Sequence, residues 1–415
     1  MVLEWHLADE QEGLVNRNVA AVVRPHTVRQ ANLSAILDAL RTSGPLSRSD
    51  LGTATGLTRS AISGLVGELV SLGLAAEGAA LPDGRPGRPS PVVRVETENF
   101  ATLAIEIGVD DLSVAIVGLD GSVIRSHRRA RSRDRVPMSS TIADIADLVR
   151  RLGWSGQAVD GRRVLAIGVA VPGVISEPDA VIVTAPNLGW TDVDLAPTVQ
   201  QALGVSLPVF VGNDADLGAL AEARFGAGVG TRAMVFISGE VGVGGGLVVD
   251  GRRVSGHRGF AGEIGHIPFD ADGPPCSCGS SGCLETLIGE RVLLERAGLD
   301  PDGGSRQVGR LLAAAERGDQ RALDALDVEG RWLAIGITGL VNVFDPEIVV
   351  LGALFGRILP FVRTALDEEL ERRRFRRVER QVPVVAAAFG VESTLVGAGE
   401  LAFGPLLADP ASAGT

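Results

Sequence analysis

The feature that most constrains this chain is a pattern of elements that occurs twice. From Phe100 the sequence reads "ATLAIEIGV", "DLSVAIVGL" and "SVIRSHRRA", three runs of strand character joined by short turns, one of them Asp120-Gly121. A helix around residues 142–152 follows, then the strand "VLAIGVAV" ending at Pro172-Gly173, the strand "LPVFVGN" and a helix from Asp214. A second round opens at "RAMVFISG" and "GGGLVVDG". It continues through the helix "GRWLAIGITGLVNVF", the strand "EIVVLGA", a helix around 358–373 and the strand "VPVVAAAF". Three strands and then βα units, repeated, predict two similar α/β lobes with a cleft between them, and clefts between lobes are where ligands bind.

The segment ahead of the lobes has a different character. In "RQANLSAILDALRTSGPLSRSDLGTATGLTRSAISGLVGELVSLGLAAE" the apolar residues Leu33, Ile36, Leu37 and Leu40 have helical spacing, and Gly44-Pro45 stops the run. A short helix fits 47–55 with Ser47 as its cap, Gly56 makes a tight turn, and Thr58 caps a third helix. That helix turns Ile62, Leu65, Val66 and Leu69 inward and leaves Arg59, Ser60 and Ser63 outward at its start. A plain helical hairpin fits these residues too. A glycine turn followed by a helix with small polar and basic residues at its start is the helix-turn-helix arrangement, and base edges would be met there by Thr58, Arg59, Ser60 and Ser63. Two short extended runs around "GRPGRPS" then predict a wing, whose Arg85 and Arg88 suit a narrow minor groove.

Charge supports this division. The whole chain carries −12, which speaks against nucleic acid, yet residues 29–94 hold seven Arg against five Asp and Glu. The first 28 residues hold two Arg against four acids, so the acidity lies in the lobes. A mildly basic head on an acidic body suits a DNA-binding protein. No apolar run has the length of a membrane span, and "MVLEWHLADEQEG" is too acidic for a signal peptide, so a cytoplasmic protein is expected. Residues 1–28 form an extension for which disorder and packing against a partner subunit are equal readings, and residues 405–415 form a tail.

All three cysteines fall in "GEIGHIPFDADGPPCSCGSSGCLE". This stretch can be read as a structural metal knot, an enzyme active site, or part of a device that reads a ligand without chemistry. His266, Cys276, Cys278 and Cys283 make a closed tetrahedral set suited to structural Zn²⁺, with no open position for activated water. The bland alternative is three buried thiols. Glu263 and Glu285 flank the knot and can accept hydrogen bonds from vicinal hydroxyls; His266 can bind metal with one nitrogen and present the other to a ligand. "GNDAD" places Asn213 and Asp214 at a strand end, where Asp214 suits a general base and also a helix N-cap, two roles that share one geometry and do not exclude each other. Asn187 in "APNLGW" offers an amide to a polyol.

Together these stretches, with "VAVPGVIS" and "GLVNVFDPEIVVLGA", resemble the ROK family, which groups sugar-responsive repressors with sugar kinases. The resemblance runs from about Arg29 to Phe403. It implies a two-lobed actin-like ATPase-type (ribonuclease H-like) body behind an α+β winged helix-turn-helix head. The expected bounds are 29–97 for the head and 98–404 for the body. Lobe I spans about 98–216 plus a C-terminal helix at 393–404, and lobe II spans about 217–390. It also implies zinc on the His and three Cys, and sugar contacts from Asn213, Asp214, Glu263, His266 and Glu285, with Asp214 as the kinases' base.

This chain departs from the kinases at both phosphate turns. Their Asp-x-Gly-Gly-Thr-Lys is matched by "EIGVDD", with Val109, Asp110 and Asp111 in place of glycine, threonine and lysine. Their Gly-Thr-Gly-Val-Gly-Gly-Gly is matched by "GEVGVGGG", with Glu240 and Val241 in place of glycine and threonine. Carboxylates there repel phosphates, so no ATP is expected. The leading expectation is a repressor of sugar-uptake or catabolic genes that binds a palindromic operator as a homodimer or homotetramer under a sugar's control. The alternatives are a sugar kinase with an accessory head, and a regulator that answers to a protein partner.

Overall fold

The computed structural model describes residues 25–78, 91–131, 133, 136–154, 156–176, 179–257, 259–374 and 382–414. The head opens with α1 (Pro25–Ser43), the short strand β1 (Leu46–Ser47), α2 (Arg48–Thr55) and α3 (Arg59–Ser71). Its two inner helix starts are fixed locally. Ser47 Oγ accepts from the Asp50 amide and Thr58 Oγ1 from the Ala61 amide, while Gly56 takes the left-handed turn (φ 70°) between them. The strands β2 (Ala75–Gly78) and β3 (Val92–Val95) pair antiparallel with β1 at the edge, order β1-β3-β2, which is the base of a wing. The expected Arg85 and Arg88 lie outside the described residues.

The first lobe is built on β4 (Phe100–Ile107), β5 (Asp111–Gly118), β6 (Val123–Ala130), α4 (Met138–Arg151), β7 (Ala158–Val159) and β8 (Arg162–Val171). A small side sheet follows from β9 (Val174–Ile175), β10 (Ile182–Ala185) and β11 (Trp190–Val193), then α5 (Ala196–Leu203), β12 (Val209–Asn213) and α6 (Asp214–Phe225). The second lobe has β13 (Ala233–Gly239), β14 (Val243–Val249), β15 (Arg252–Arg253), α7 (Glu290–Arg296), α8 (Gly304–Glu316), α9 (Gln320–Phe344), β16 (Ile348–Gly352), α10 (Ala353–Arg373) and β17 (Val384–Ala386). The last helix, α11 (Ser393–Ala408), crosses back.

The two main sheets run β12-β8-β4-β5-β6 and β15-β14-β13-β16-β17. Numbered within each lobe, both have the order 3-2-1-4-5, with the first three strands antiparallel and the last two parallel to the first. The repeat expected from sequence is therefore a repeat of topology. α11 belongs to the first lobe by contact: a Cβ on Gly168 of β8 would sit 1.9 Å from the Ala398 carbonyl, so only glycine lets helix and strand backbones meet. α6 lies between the sheets, its Ala215 and Ala219 against Gly244 and Gly246 of β14. That helix carries its first turn into the cleft.

Several helices are longer than their periodic cores predict. α9 begins ten residues before "GRWLAIG", because Asp319 caps it by accepting from the Ala322 amide. α10 begins at Ala353 directly after β16, so "GA" in the expected strand ends the strand and starts the helix.

Candidate functional site

Two cavities open along the cleft. The larger, of about 290 Å³, is walled by Gly173 and Asn213 of the first lobe, Asp216 of α6, and Arg253, Gly262 and Glu263 of the second. Its size is at the small end for organic ligands. The other, of about 80 Å³, lies between the lobes among Asp110, Asp111, Arg128, Glu240, Glu290 and Arg357.

The first turn of α6 organises the larger cavity. Asn213 is the helix cap: its Oδ1 accepts from the Asp216 amide at 3.0 Å, and its Nδ2 donates to the Gly173 carbonyl at 2.9 Å. This corrects the reading of Asp214 as a cap. Asp214 is the first helical residue, and its Oδ1 accepts from the adjacent Ala215 amide at 2.8 Å. Burial raises the Asp214 carboxyl to about 6, against backbone hydrogen bonds that lower it and the charge of Glu263 that adds to the rise. Asp216, which sequence reasoning did not single out, is 4% exposed and is held by Arg253 Nη1 at 2.5 Å. Burial raises it to about 6 as well, with Arg253 opposing. Its partner comes from β15 of the other lobe, so no local pattern could have pointed to the pair.

The loop from Gly262 to Glu285 carries the remaining candidates. Ile264–His266 forms a 3₁₀ turn, and Leu284–Thr286 forms another. One ligand atom from each of His266, Cys276, Cys278 and Cys283 lies within 4.8 Å of all the others. His266 Nδ1 faces Cys276 Sγ at 3.5 Å, while Nε2 looks towards Glu263 Oε2 at 3.9 Å. Cys278 and Cys283 have their sulfurs 3.7 Å apart. Gly282 makes this closure possible: at φ 63° a Cβ there would lie 1.6 Å from the Asp270 carbonyl. Three thiols and an imidazole converging from one loop fit a tetrahedral metal ion. Burial pushes the Cys276 thiol up to about 12, and it donates to Glu285 Oε1 at 2.8 Å. A cation in the set would take that proton's place.

Glu263, His266 and Glu285 are thus brought together, with Glu285 Oε1 3.5 Å from His266 Nδ1. Burial raises Glu263, with His266 opposing and Glu285 adding to the rise. Asn187 is not part of this group. It sits exposed in the turn after β10 and does not line either cavity.

At the kinase-like phosphate turns the structure gathers negative charge. Glu106 at the end of β4 is 7% exposed, and Glu240 stands in the turn between β13 and β14. Burial raises Glu106 to about 8, with Arg128 opposing and Asp111 and Asp214 adding to the rise. Glu240 is also pushed well above its ordinary range, by desolvation in the crowded cleft and by the like charges of Glu106, Asp214, Asp111 and Asp110, although the residue itself stays solvent-exposed. Of the basic side chains nearby, Arg128 and Arg133 are held in ion pairs, and Arg357 donates to Ser305 Oγ at 3.2 Å. Arg133 bridges Asp110, at 2.5 and 2.6 Å, to Glu290 of α7 in the other lobe, and Arg128 holds Asp111 at 3.1 Å. The space that would take phosphates is small, acidic and spanned by an interlobe ion pair.

On the head, Thr58, Arg59, Ser60 and Ser63 are all exposed at the start of α3. Gly64 and Gly67 continue that face with nothing within 4 Å of where a Cβ would be, so the surface is flat enough for close approach. Sequence reasoning passed over Arg48, which donates to Ser63 Oγ at 2.8 Å and pairs with Glu77 of the wing. Among the described residues no helix is long and apolar enough to cross a membrane.

Comparison with known proteins gives a consistent result. The ROK family matches residues 102–404 and the MarR family matches residues 34–86. The xylose repressor of Bacillus spizizenii is 28% identical over 372 residues, 89% of this chain and 94% of the repressor. A glucokinase of Streptomyces coelicolor is 30% identical over 328 residues, 73% of this chain and 98% of the kinase. The crystal structure of a ROK family transcriptional regulator, a homologue of the Escherichia coli Mlc protein, aligns with a TM-score of 0.74 at 26% identity. That alignment covers 92% of this chain and 97% of the other.

Proposed function

The chain belongs to the ROK family, with a MarR-like winged helix ahead of the family domain, and we propose that it is a repressor whose operator binding is controlled by a neutral sugar in the interlobe cleft. It is a DNA-binding transcriptional regulator, and the head at 29–97 and body at 98–404 divide the labour between reading DNA and sensing the sugar. The observation that carries this reading is the contrast between the two cavities. The larger cavity is lined by Asn213, Asp216, Arg253 and Glu263, with Asp214, His266 and Glu285 on the segments that flank it, whereas the smaller one is lined by Asp110, Asp111, Glu240 and Glu290, with the charge of Glu106 acting on Glu240.

In this reading Asp214 and Glu263 accept hydrogen bonds from sugar hydroxyls, and His266 presents Nε2 to the same ligand. Asn213 positions α6 and Gly173 through its amide. Asn187 contacts the ligand only if its turn moves inward. Carboxylates around the cavity disfavour phosphorylated and acidic sugars. Zn²⁺ in the His266, Cys276, Cys278 and Cys283 set would supply a structural cross-link that keeps Glu263 and Glu285 in place. On the head, Arg59 and Ser63 meet base edges, Thr58 and Ser60 stand beside the backbone, and Arg85 and Arg88 enter the flanking minor groove. One head reads a half-site, so a homodimer or a homotetramer binds a roughly palindromic operator.

The test has two parts. Duplexes selected from random sequence by the full-length protein are expected to carry a palindrome, and Arg59→Ala is expected to weaken that binding by about 10-fold or more, as for loss of one base contact. D-xylose and D-glucose, with glucose 6-phosphate as the charged control, are titrated against the protein. Absence of any sequence preference refutes the repressor. A kinase is the second reading, favoured by Asp214, whose raised carboxyl suits a general base. Turnover of sugar with ATP and Mg²⁺ that is lost in Asp214→Asn would establish it.

A further inference from the structure

The head does not hang from a loose linker. Its core of Leu33, Ile36, Leu37 and Leu40 continues without a break into Phe100, Leu119, Phe403 and Leu406 of the body. At the seam lies Arg41 of α1, 6% exposed. Its Nε donates to the Leu119 carbonyl at 2.6 Å, Nη1 to Glu400 Oε1 of α11 at 3.1 Å, and Nη2 to Glu400 Oε2. The guanidinium lies 5.1 Å from the centre of the Phe225 ring at the end of α6. Arg224 completes the group: it pairs with Asp38 of α1 and places its Nε 3.6 Å from Glu400 Oε1. One ionic network therefore joins α1 of the head to α6 and α11 of the body.

The opposite end of α6 is the wall of the larger cavity. Twelve residues make a helix of about 18 Å. It is stiffened by α11, since a Cβ on Gly397 would fall 1.8 Å from the Leu217 carbonyl and the two backbones touch. Its first turn is tied to the second lobe through Asp216 and Arg253, and to the first through Asn213 and Gly173. A ligand that shifts one lobe against the other pulls on this turn, and a rigid helix delivers the motion to its far end.

We propose that α6 is the transmission element between the cavity and the DNA-reading head, and that the Arg41–Glu400–Arg224–Asp38 network is the joint that makes the head follow it. This rests on the sugar-controlled repressor reading above. Replacing both members of the buried pair by apolar residues removes the joint while keeping the seam filled, a change that buried ion pairs commonly tolerate.

The experiment uses the full-length protein, D-xylose and D-glucose, and the selected duplex. Sugar affinity, DNA affinity alone and DNA affinity with saturating sugar are measured for wild type, Arg41→Met/Glu400→Leu and Arg224→Met. In the wild type, sugar is expected to change DNA affinity by about 5- to 150-fold, the usual range of such coupling. In the double variant each separate affinity is expected to stay within about threefold of wild type, while the sugar effect falls below about twofold. Arg224→Met leaves the Arg41–Glu400 pair intact and is expected to cut the effect at least about threefold. A double variant that keeps the wild-type effect overturns the proposal, and so does an undiminished effect in Arg224→Met should the double variant fail to fold. If the wild type itself binds neither sugar, or binds one without change in DNA affinity, the control reading falls and takes this proposal with it.

Discussion

Glu106 gives the sharpest test of why the phosphate side of the cleft has changed character. Its carboxyl is 7% exposed, its Oε2 has no hydrogen-bond partner, and Arg128 reaches that oxygen only at 3.5 Å. Burial moves it from 4.5 to about 8. The folded protein therefore keeps this proton over a range where the unfolded chain has lost it, and stability falls as pH rises through that range. Each pH unit well below 8 costs about 1.4 kcal/mol and the slope fades as pH passes 8, so raising pH from 6 to 9 removes about 3 kcal/mol through this residue alone. Glu106→Gln has nearly the same shape and no proton to lose. Unfolding of wild type and variant by urea is followed at half-unit steps from pH 6 to 9. The expected outcome is a stability difference that grows in favour of the variant by about 3 kcal/mol and levels off above pH 8. Burial raises Glu329 to about 7 and Asp216 to about 6, and these titrate alike in both proteins and cancel in the difference; Glu240 and Asp214 interact with the Glu106 charge, and its loss in the variant adds to the difference in the same direction. A difference that stays flat across this range would mean that Glu106 is ionised in the folded protein, and the account of an acid-filled, partly protonated phosphate site would be wrong.

Two further outcomes follow from the site. Stripping metal with a chelator is expected to lower both melting temperature and sugar affinity, and Gly282→Ala to do the same without chelator, since its Cβ would lie 1.6 Å from the Asp270 carbonyl; calorimetry on both preparations checks this. Asn213→Ala loses the helix cap and the tie to Gly173, worth together about 2 kcal/mol, and is expected to weaken sugar binding, because the first turn of α6 loosens and the second Nδ2–H, which neither bond uses, is removed from the cavity wall.

Much of the fold was legible because its causes are local. Ser47, Thr58 and Gly56 bound the head helices with the chemistry their residue types supply. Strand runs separated by turn residues announced two similar lobes, and the spacing of three cysteines after His266 announced a cluster able to hold a metal ion, because one short loop carries all four residues. Where sequence reasoning erred, two neighbours competed for one role. Asn213 and Asp214 are both good caps, and only the backbone's entry into α6 decides that Asn213 takes the position.

The sequence by itself determined the elements, the repeat and the residue types available to bind DNA, metal and sugar. Only the tertiary structure decided what those residues do to each other, because electrostatic effects depend on distance and burial. Glu106, Asp214 and Glu240 come from three strand ends, and their mutual repulsion exists only once two sheets face each other across a cleft. Arg41 and Glu400 are 359 residues apart. In the sequence Arg41 reads as an ordinary surface charge and Glu400 as the lone acid of an apolar helix, and neither points to the other. Buried together between head and body, they become the contact through which the two halves of the protein are joined.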